Sequence, residues 1–590
     1  MKKREDIDAK YKWDFSDYFA DEKDCLKELA EYEKEIKKIS RFDGKLDNEK
    51  NILQCFKFLE KMSLKLDSIA VYICCNHDLD VTNDKYQSFV NKIEFISTKA
   101  SELSSFVGPQ LCRLDDKFLH GLLNKKEFQP YSSTIKDTIK DKPHVLSEDN
   151  EKLLSITGSF AGDFSTIHSN FENGDLKFNK VKNGKGKLLP MDQNLTSLYL
   201  RSSDNILREN AYKELQGAYG RYNNFLYANY LASVKSDVFY AKARKFDSVL
   251  EKALYREEVS PCVYNNLVKN VEENLQLDYN YFALKKKLLG LKTFKISDTY
   301  YNPMKLDKTY TYSQAMDIVC NALSLLGNDY VNELRHMQNN RQIDVFPTEN
   351  KRGGAYETMA TKKTPRVLTN FMGSFNDVST LAHELGHAMH SVYSDRAQSP
   401  DNAGYTIFLA EIASTTNETI LSNYMIENAQ SQKEKIYFIN EYLSQVHATI
   451  FRQTMFASFE EKIHHTVEHN QDISAKVVNN IYLDLVKKYF GKGVKVFDQV
   501  QYEWSRIPHF YTPFYVYKYA TGLISAINIV ENLRTGKISV DDYKKFLSSG
   551  CTDTPTNLLK IVKVDYDTQE PFKVAFEYIK SLQKTLKKLI

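Results

Sequence analysis

The sequence predicts a mostly α-helical protein with a small β component, and three observations predict it. Apolar residues return every three or four positions over long stretches, as in "DCLKELAEYEKEIKKIS" (24–40) and "KYQSFVNKIEFISTKASELSSFV" (85–107). Strand-like residues combined with turn-forming glycines are confined to two short regions, about 160–190 and 352–374. The length, 590 residues, is about four times that of a usual domain and predicts two or more lobes.

Residues 1–110 read as an N-terminal helical region and 111–200 as a mixed segment of helix and β-hairpin. In the mixed segment Phe164, Ile167, Phe171, Leu176 and Phe178 surround the turn signal Asn173-Gly174, and a second signal stands at Asn183-Gly184. Helices resume beyond about 203. Leu215, Tyr219, Tyr222, Leu226 and Tyr230 predict one apolar stripe on a long helix. The third region, 201–590, holds the second β region, where "RGGAYETMA" and "PRVLTNFMGS" predict a hairpin or small sheet.

Composition narrows the function classes. Charged residues make up 27% and the net charge is only +3, which argues against a nucleic-acid footprint; the Lys-rich runs read as solvated helix faces. Neither a secretory signal nor a stretch long enough to span a membrane is recognisable, so no membrane partner is expected. The eight cysteines show no metal-knuckle spacing and read as reduced thiols, favouring the cytoplasm. Oligomeric state is not legible.

The chemistry concentrates in "FNDVSTLAHELGHAMHS" (375–391), a helix expected near 378–393 with Asp377 as its cap. His383 and His387, one turn apart, present both imidazoles on one face, and Glu384 beside them can act as general base toward a water at a metal. With 13 His in the chain, this pattern arises by chance at a rate of roughly 1–2%, so neighbouring residues must decide. A catalytic zinc needs a third protein ligand and an open position. Glu411 lies in the apolar turn "LAEIAS", where a buried carboxylate is costly unless paired or metal-bound, and is the candidate third ligand. Glu418, two turns on, is a candidate partner for a ligating imidazole. His390 competes on spacing, but three ligands from one helix would strain a tetrahedral site. His464, His465 and His469 lie in a polar run and are expected on a helix surface.

A third segment, 504–522, gathers His509 and tyrosines 511, 515, 517 and 519. Amide hydrolysis needs donors aimed at the developing oxyanion; His509 and Tyr511 are the first candidates and Tyr515 the next. Tyr517 and Tyr519 read as possible core residues.

Together, "RGGAY" (352–356), "AHELGHAMHS" (382–391), "LAEIAS" (409–414) followed by Glu418, and "HFYTPFYVYKYATG" (509–522) resemble, in order and interval, oligoendopeptidase F, a relative of thimet oligopeptidase. The resemblance covers the C-terminal two-thirds well. It implies a two-lobed, zincin-like helical shell enclosing a deep substrate channel. It also implies one zinc ion per chain on His383, His387 and Glu411, catalysis by Glu384, and short peptides as substrates. Gly353, Gly354, Ala355 and Tyr356 would line the cleft and hydrogen-bond an extended substrate. His509 matches the family's oxyanion histidine. In the thimet branch a glycine-containing loop separates that histidine from its first tyrosine, whereas here only Phe510 intervenes, so the choice between tyrosines stays open. An exopeptidase with the same ligands is the alternative enzyme. A scaffold protein with a structural metal would ordinarily show a fourth protein ligand, commonly Cys.

Overall fold

The protein is described by a computed structural model covering residues 2–304, 306 and 308–590. It is mostly helical, with only short strands among the described residues. Two compact units emerge, each built from three separate stretches of chain. The first comprises Met1–Val145, Lys308–Leu421 and Asn532–Lys563, and the second Leu146–Asp307, Ser422–Glu531 and Val564–Ile590. Among the described residues no helix is long and apolar enough to cross a membrane.

In the first unit the N-terminal periodicity becomes helices Glu22–Glu35, Glu49–Asp78 and Asp84–Ser104, the first two opened by Asp21 and Asn48 side chains that accept backbone N–H bonds. Their apolar faces close one core around Cys25, Leu29, Met62, Ile69, Ile93 and Ile96, to which Ala360 and Leu368 also belong. Those last two come from the second β region, which folds as a three-stranded sheet. Strand β1 (Ile343–Asp344) runs parallel to β3 (Arg366–Leu368), and β2 (Tyr356–Thr358) runs antiparallel to β3 from its other side. The hairpin expected at "RGGAYETMA" and "PRVLTNFMGS" is the β2–β3 pair, with Glu357 opposite Val367.

A buried ion cluster ties the N-terminus to this sheet. Asp344 accepts from Arg4 at 2.7 Å, from Lys351 at 2.7 Å and from the Trp13 amide at 3.2 Å. The Lys351 and Asp344 side chains are 0% and 2% exposed. Burial, the largest influence on Asp344, pushes its carboxyl up, but the Arg4 hydrogen bond and the charges of Lys351 and Arg4 outweigh it and hold the group below its ordinary value.

The second unit corrects three expectations. The hairpin expected between about 160 and 190 forms at Asn183-Gly184, where Val181 pairs with Leu189 and Lys182 with Leu188; Asn173-Gly174 instead lies in a π-helical turn, Phe171–Asp175, continuing a helix. The Asn183 carboxamide oxygen accepts from the amides of Lys185 and Lys187, a local closure that the other site lacks. The stripe from Leu215 to Tyr230 belongs to two helices, Asn205–Gly220 and Asn223–Ala243, and Tyr222 at the junction is 38% exposed. His464 is 1% exposed rather than on the surface, because its ring packs on Phe514 and both its nitrogens meet acceptors. His465 and His469 are exposed as expected.

Replacing Asp344 by Asn leaves the Lys351 ammonium buried without a counter-charge. The expected loss at neutral pH is about 3–5 kcal/mol of unfolding free energy, read by denaturant titration. Because the native carboxyl is depressed, its contribution is complete above the unfolded Asp value and disappears as pH falls through the native one, so the gap between parent and variant begins to close below about pH 4 and is gone only below the native value. A gap independent of pH contradicts this assignment.

Candidate metal centre

Helix α1 (Phe375–Ala397) carries both motif histidines. It starts three residues earlier than expected: Ser374 Oγ accepts from the Asp377 amide at 3.2 Å and Asp377 Oδ2 accepts from the Ser374 amide at 2.8 Å. Asp377 is thus the inner member of a capping box and Ser374 the cap. Val378, Leu381, Ala382, Leu385, Ala388 and Met389 are buried, which fixes the rotation of the helix.

Helix α2 (Ile407–Glu427) crosses α1 at Gly386. A Cβ at position 386 would lie 2.6 Å from the Ser414 Cα and 2.8 Å from the Ala413 carbonyl oxygen. Only a glycine admits that approach. Glu411, one turn before Ser414, is thereby brought to the two imidazoles.

The His383 and His387 Nε2 atoms are 3.2 Å apart, and Glu411 Oε2 lies 3.4 Å from the first and 3.5 Å from the second. Tetrahedral ligands about 2.0–2.1 Å from a zinc ion are separated by about 3.3–3.4 Å, so the three atoms outline one face of such a tetrahedron. Among the described residues this is the one group of three or more His, Cys, Asp or Glu able to hold a metal.

The surroundings suit a cation. Glu418 Oε2 lies 3.5 Å from His383 Nδ1, and Ser379 Oγ donates to the other Glu418 oxygen at 3.3 Å. A carboxylate on Nδ1 directs Nε2 toward a metal. Burial pulls the His383 imidazole down, but the Glu418 hydrogen bond, with the charges of Glu418, Glu384 and Glu411, raises it to about 9. Burial pushes Glu411 up, yet the hydrogen bond and charge of His387, the charge of His383 and the Ser414 hydroxyl bring it down to about 2. Glu384 is 7% exposed, and burial, aided by Glu411 and Glu418, raises its carboxyl above the ordinary value despite the two histidines. That is the direction a general base working near neutrality requires. His390 takes no part in the group; it is buried and stacked on Tyr405 at 3.7 Å, and burial lowers it to about 3.

Sequence reasoning missed Glu357. On β2 its side chain reaches α1, where Ser391 Oγ donates to Oε2 at 3.5 Å and the Ser391 hydroxyl also meets Tyr405 at 3.0 Å. Its Oε1 is buried without a protein hydrogen bond, and burial pushes the carboxyl up to about 7, with His387 opposing and Glu384 assisting the shift. The available signal was strand alternation, which turns Glu357 to the face opposite Tyr356.

Asp78 anchors the "RGGAY" stretch from both sides. The Arg352 amide donates to the Asp78 carbonyl at 2.9 Å, and the Tyr356 hydroxyl donates to its carboxylate at 2.7 Å. Gly353 and Gly354 are exposed and Ala355 half-buried, while Asn370 holds the Gly354 carbonyl at 2.8 Å. Since β2 pairs only with β3, its other edge presents backbone groups. The Tyr356 phenol is committed to Asp78.

In the second unit His509 is exposed, and its Nε2 is 3.3 Å from the Tyr519 hydroxyl. The Tyr515 ring stacks on it at 5.9 Å and meets Tyr519 edge-on at 5.5 Å. Tyr511 points elsewhere: its hydroxyl accepts from Asn229 at 2.9 Å, its ring lies 5.0 Å from His168, and burial raises it to about 12. Tyr517 is fully buried against Tyr264. Local geometry therefore groups His509 with Tyr515 and Tyr519.

Comparison with known proteins adds an independent line. The model for peptidase family M3 matches residues 198–578 and that for oligopeptidase F matches 110–178. Oligopeptidase PepF of Bacillus subtilis is 34% identical over 97% of this chain and 86% of its own length. Group B oligopeptidase PepB of Streptococcus agalactiae is 32% identical over 100% and 98%. The crystal structure of oligoendopeptidase-F from Enterococcus faecium superposes with a TM-score of 0.75 at 26% identity, covering 96% of this chain and 98% of that one.

Exchanging Gly386 for Ala is expected to lower metal affinity by about 10–100-fold, measured by competition with a chelator. Ala is the better helix former by about 0.8–1.0 kcal/mol, so a loss would report the helix crossing rather than helix propensity. Parental affinity in the variant contradicts the steric account.

Proposed function

The chain belongs to peptidase family M3 and is a metalloendopeptidase; on that premise we propose that it is zinc-dependent and hydrolyses internal bonds of short oligopeptides. The observation that carries the reading is the convergence of His383, His387 and Glu411 within 3.5 Å of one another, beside the buried Glu384. The donor set, two imidazoles and a carboxylate, suits zinc and leaves room for a substrate atom. When bound there, the metal supplies Lewis acidity, polarising the scissile carbonyl and acidifying water.

The protein's residues supply the remainder. Glu384 removes a proton from the attacking water and returns it to the leaving amine, a task matched by its raised carboxyl. Glu418 keeps the His383 ring oriented. The main chain of Gly353, Gly354, Ala355 and Tyr356, continuing into the open edge of β2, pairs with an extended peptide. This mode tolerates varied side chains, as a general oligopeptidase requires. His509 donates to the oxyanion, with Tyr515 or Tyr519 beside it as the partner, since the Tyr511 hydroxyl is engaged by Asn229. The proposed setting is the cytoplasm, consistent with eight cysteines that form no disulfide.

Glu384→Gln keeps the side chain's size but removes its basicity. With an internally quenched peptide blocked at both ends, kcat is expected to fall by about 100–10,000-fold while zinc stoichiometry is retained. Near-parental turnover would exclude Glu384 as the base. Failure of the parent to cut the end-blocked peptide, while trimming the free one, would exclude internal cleavage.

A further inference from the structure

Phe514 lies between the residues grouped around His509 and has φ +54°, a left-handed conformation that a bulky residue keeps only when its surroundings impose it. Those surroundings belong to helix α3 (Arg452–Glu468) and its neighbours. Glu460, 1% exposed, accepts the Phe514 amide on Oε1 at 2.6 Å. The Phe514 ring, 2% exposed, packs on His464 at 4.9 Å and edge-on to Tyr264 at 5.6 Å.

His464 is locked in turn. Its Nδ1 is 2.9 Å from the Glu460 carbonyl and its Nε2 is 3.4 Å from the Asp237 carboxylate. Both partners are acceptors, an arrangement that favours the protonated ring. Burial opposes that charge, but the Asp237 hydrogen bond, with the charges of Asp237 and Glu460, outweighs it and raises the group. A second bolt stands four residues on: Lys518 pairs with Glu257 at 2.7 Å and lies 5.2 Å from the centre of the Tyr515 ring. The turn is thus fastened at 514 and 518, on either side in sequence of Tyr515 and next to Tyr519.

We propose that Glu460 is a positioning residue: by accepting the Phe514 amide it holds the 509–519 turn in the conformation that brings His509, Tyr515 and Tyr519 into one group. Its effect on turnover rests on the reading of His509 as an oxyanion donor; its effect on the turn does not. What matters is a buried acceptor of the right length. Burial pushes the Glu460 carboxyl up to about 8, and the Phe514 amide asks for an acceptor oxygen rather than a full charge, which a glutamine still supplies.

Two variants separate acceptor from charge, with hydrogen exchange of the 509–519 segment read by mass spectrometry and kcat and KM read on the end-blocked peptide. In Glu460→Leu, exchange in 509–519 is expected to quicken at least about tenfold while segments of α1 stay protected. In the same variant kcat falls about 10–100-fold with KM within about threefold. Glu460→Gln keeps both readouts within about threefold of the parent, because the carboxamide oxygen still accepts. In a His509→Ala background, Glu460→Leu adds less than about threefold to the loss in kcat, since the two act through one turn. Unchanged exchange in Glu460→Leu, or equal damage from Gln and Leu, overturns the proposal. Should Glu460→Leu not fold, Glu460→Asp, one methylene too short to reach, replaces it with the same expectation for exchange. Full activity of His509→Ala beside a loosened turn in Glu460→Leu would instead reject the oxyanion role and leave the clamp standing.

Discussion

The candidate metal centre depends on one steric constraint: α1 and α2 cross where position 386 has no side chain, with the Ala413 carbonyl and Ser414 Cα in the space a Cβ would fill. Histidines spaced by one helical turn need no tertiary structure to share a face. A third ligand from another helix does, and the carboxylate must arrive within about 3.3–3.4 Å of both Nε2 atoms to fit a tetrahedral ion. The helix contact sets that distance. The glycine of "HELGH" is therefore as much a part of the candidate site as the histidines, although it offers no ligand atom.

Charge is the second determinant. Glu384, Glu411, Glu418 and Glu357 stand near two imidazoles in a largely buried environment. Their perturbations diverge: Glu411 is driven down to about 2 by the imidazoles, whereas burial holds Glu357 up at about 7 and raises Glu384. One environment thus separates a candidate ligand held in its ionised form from carboxyls able to exchange protons.

What was legible in the sequence was mainly what is local. His383, His387 and Glu384 follow from helix periodicity, and Glu411 from the cost of burying a carboxylate among apolar neighbours. The β2–β3 hairpin follows from strand-like residues punctuated by glycine. The exact helix start did not, because Ser374 and Asp377 share the cap and either residue type can open a helix. Asn173-Gly174 resembles Asn183-Gly184 as a dipeptide, and only the latter has flanking strands to close. Non-local partners were invisible: Glu357 meets Ser391 across a strand–helix contact, His464 meets Asp237 more than two hundred positions away, and Tyr519 meets His509 through a turn whose shape depends on Glu460. Each compact unit draws on three stretches of chain, so pattern shifts along the sequence mark changes of local structure rather than the limits of those units.

The most direct test of a zinc-dependent endopeptidase is digestion of a mixed peptide pool, read by mass spectrometry, with the protein as prepared, after chelation, and after return of one equivalent of zinc. The account predicts cuts at internal bonds of short peptides that cease on chelation and return with zinc. Internal cleavage that persists after the metal is removed, or products shortened only from their ends, would contradict it.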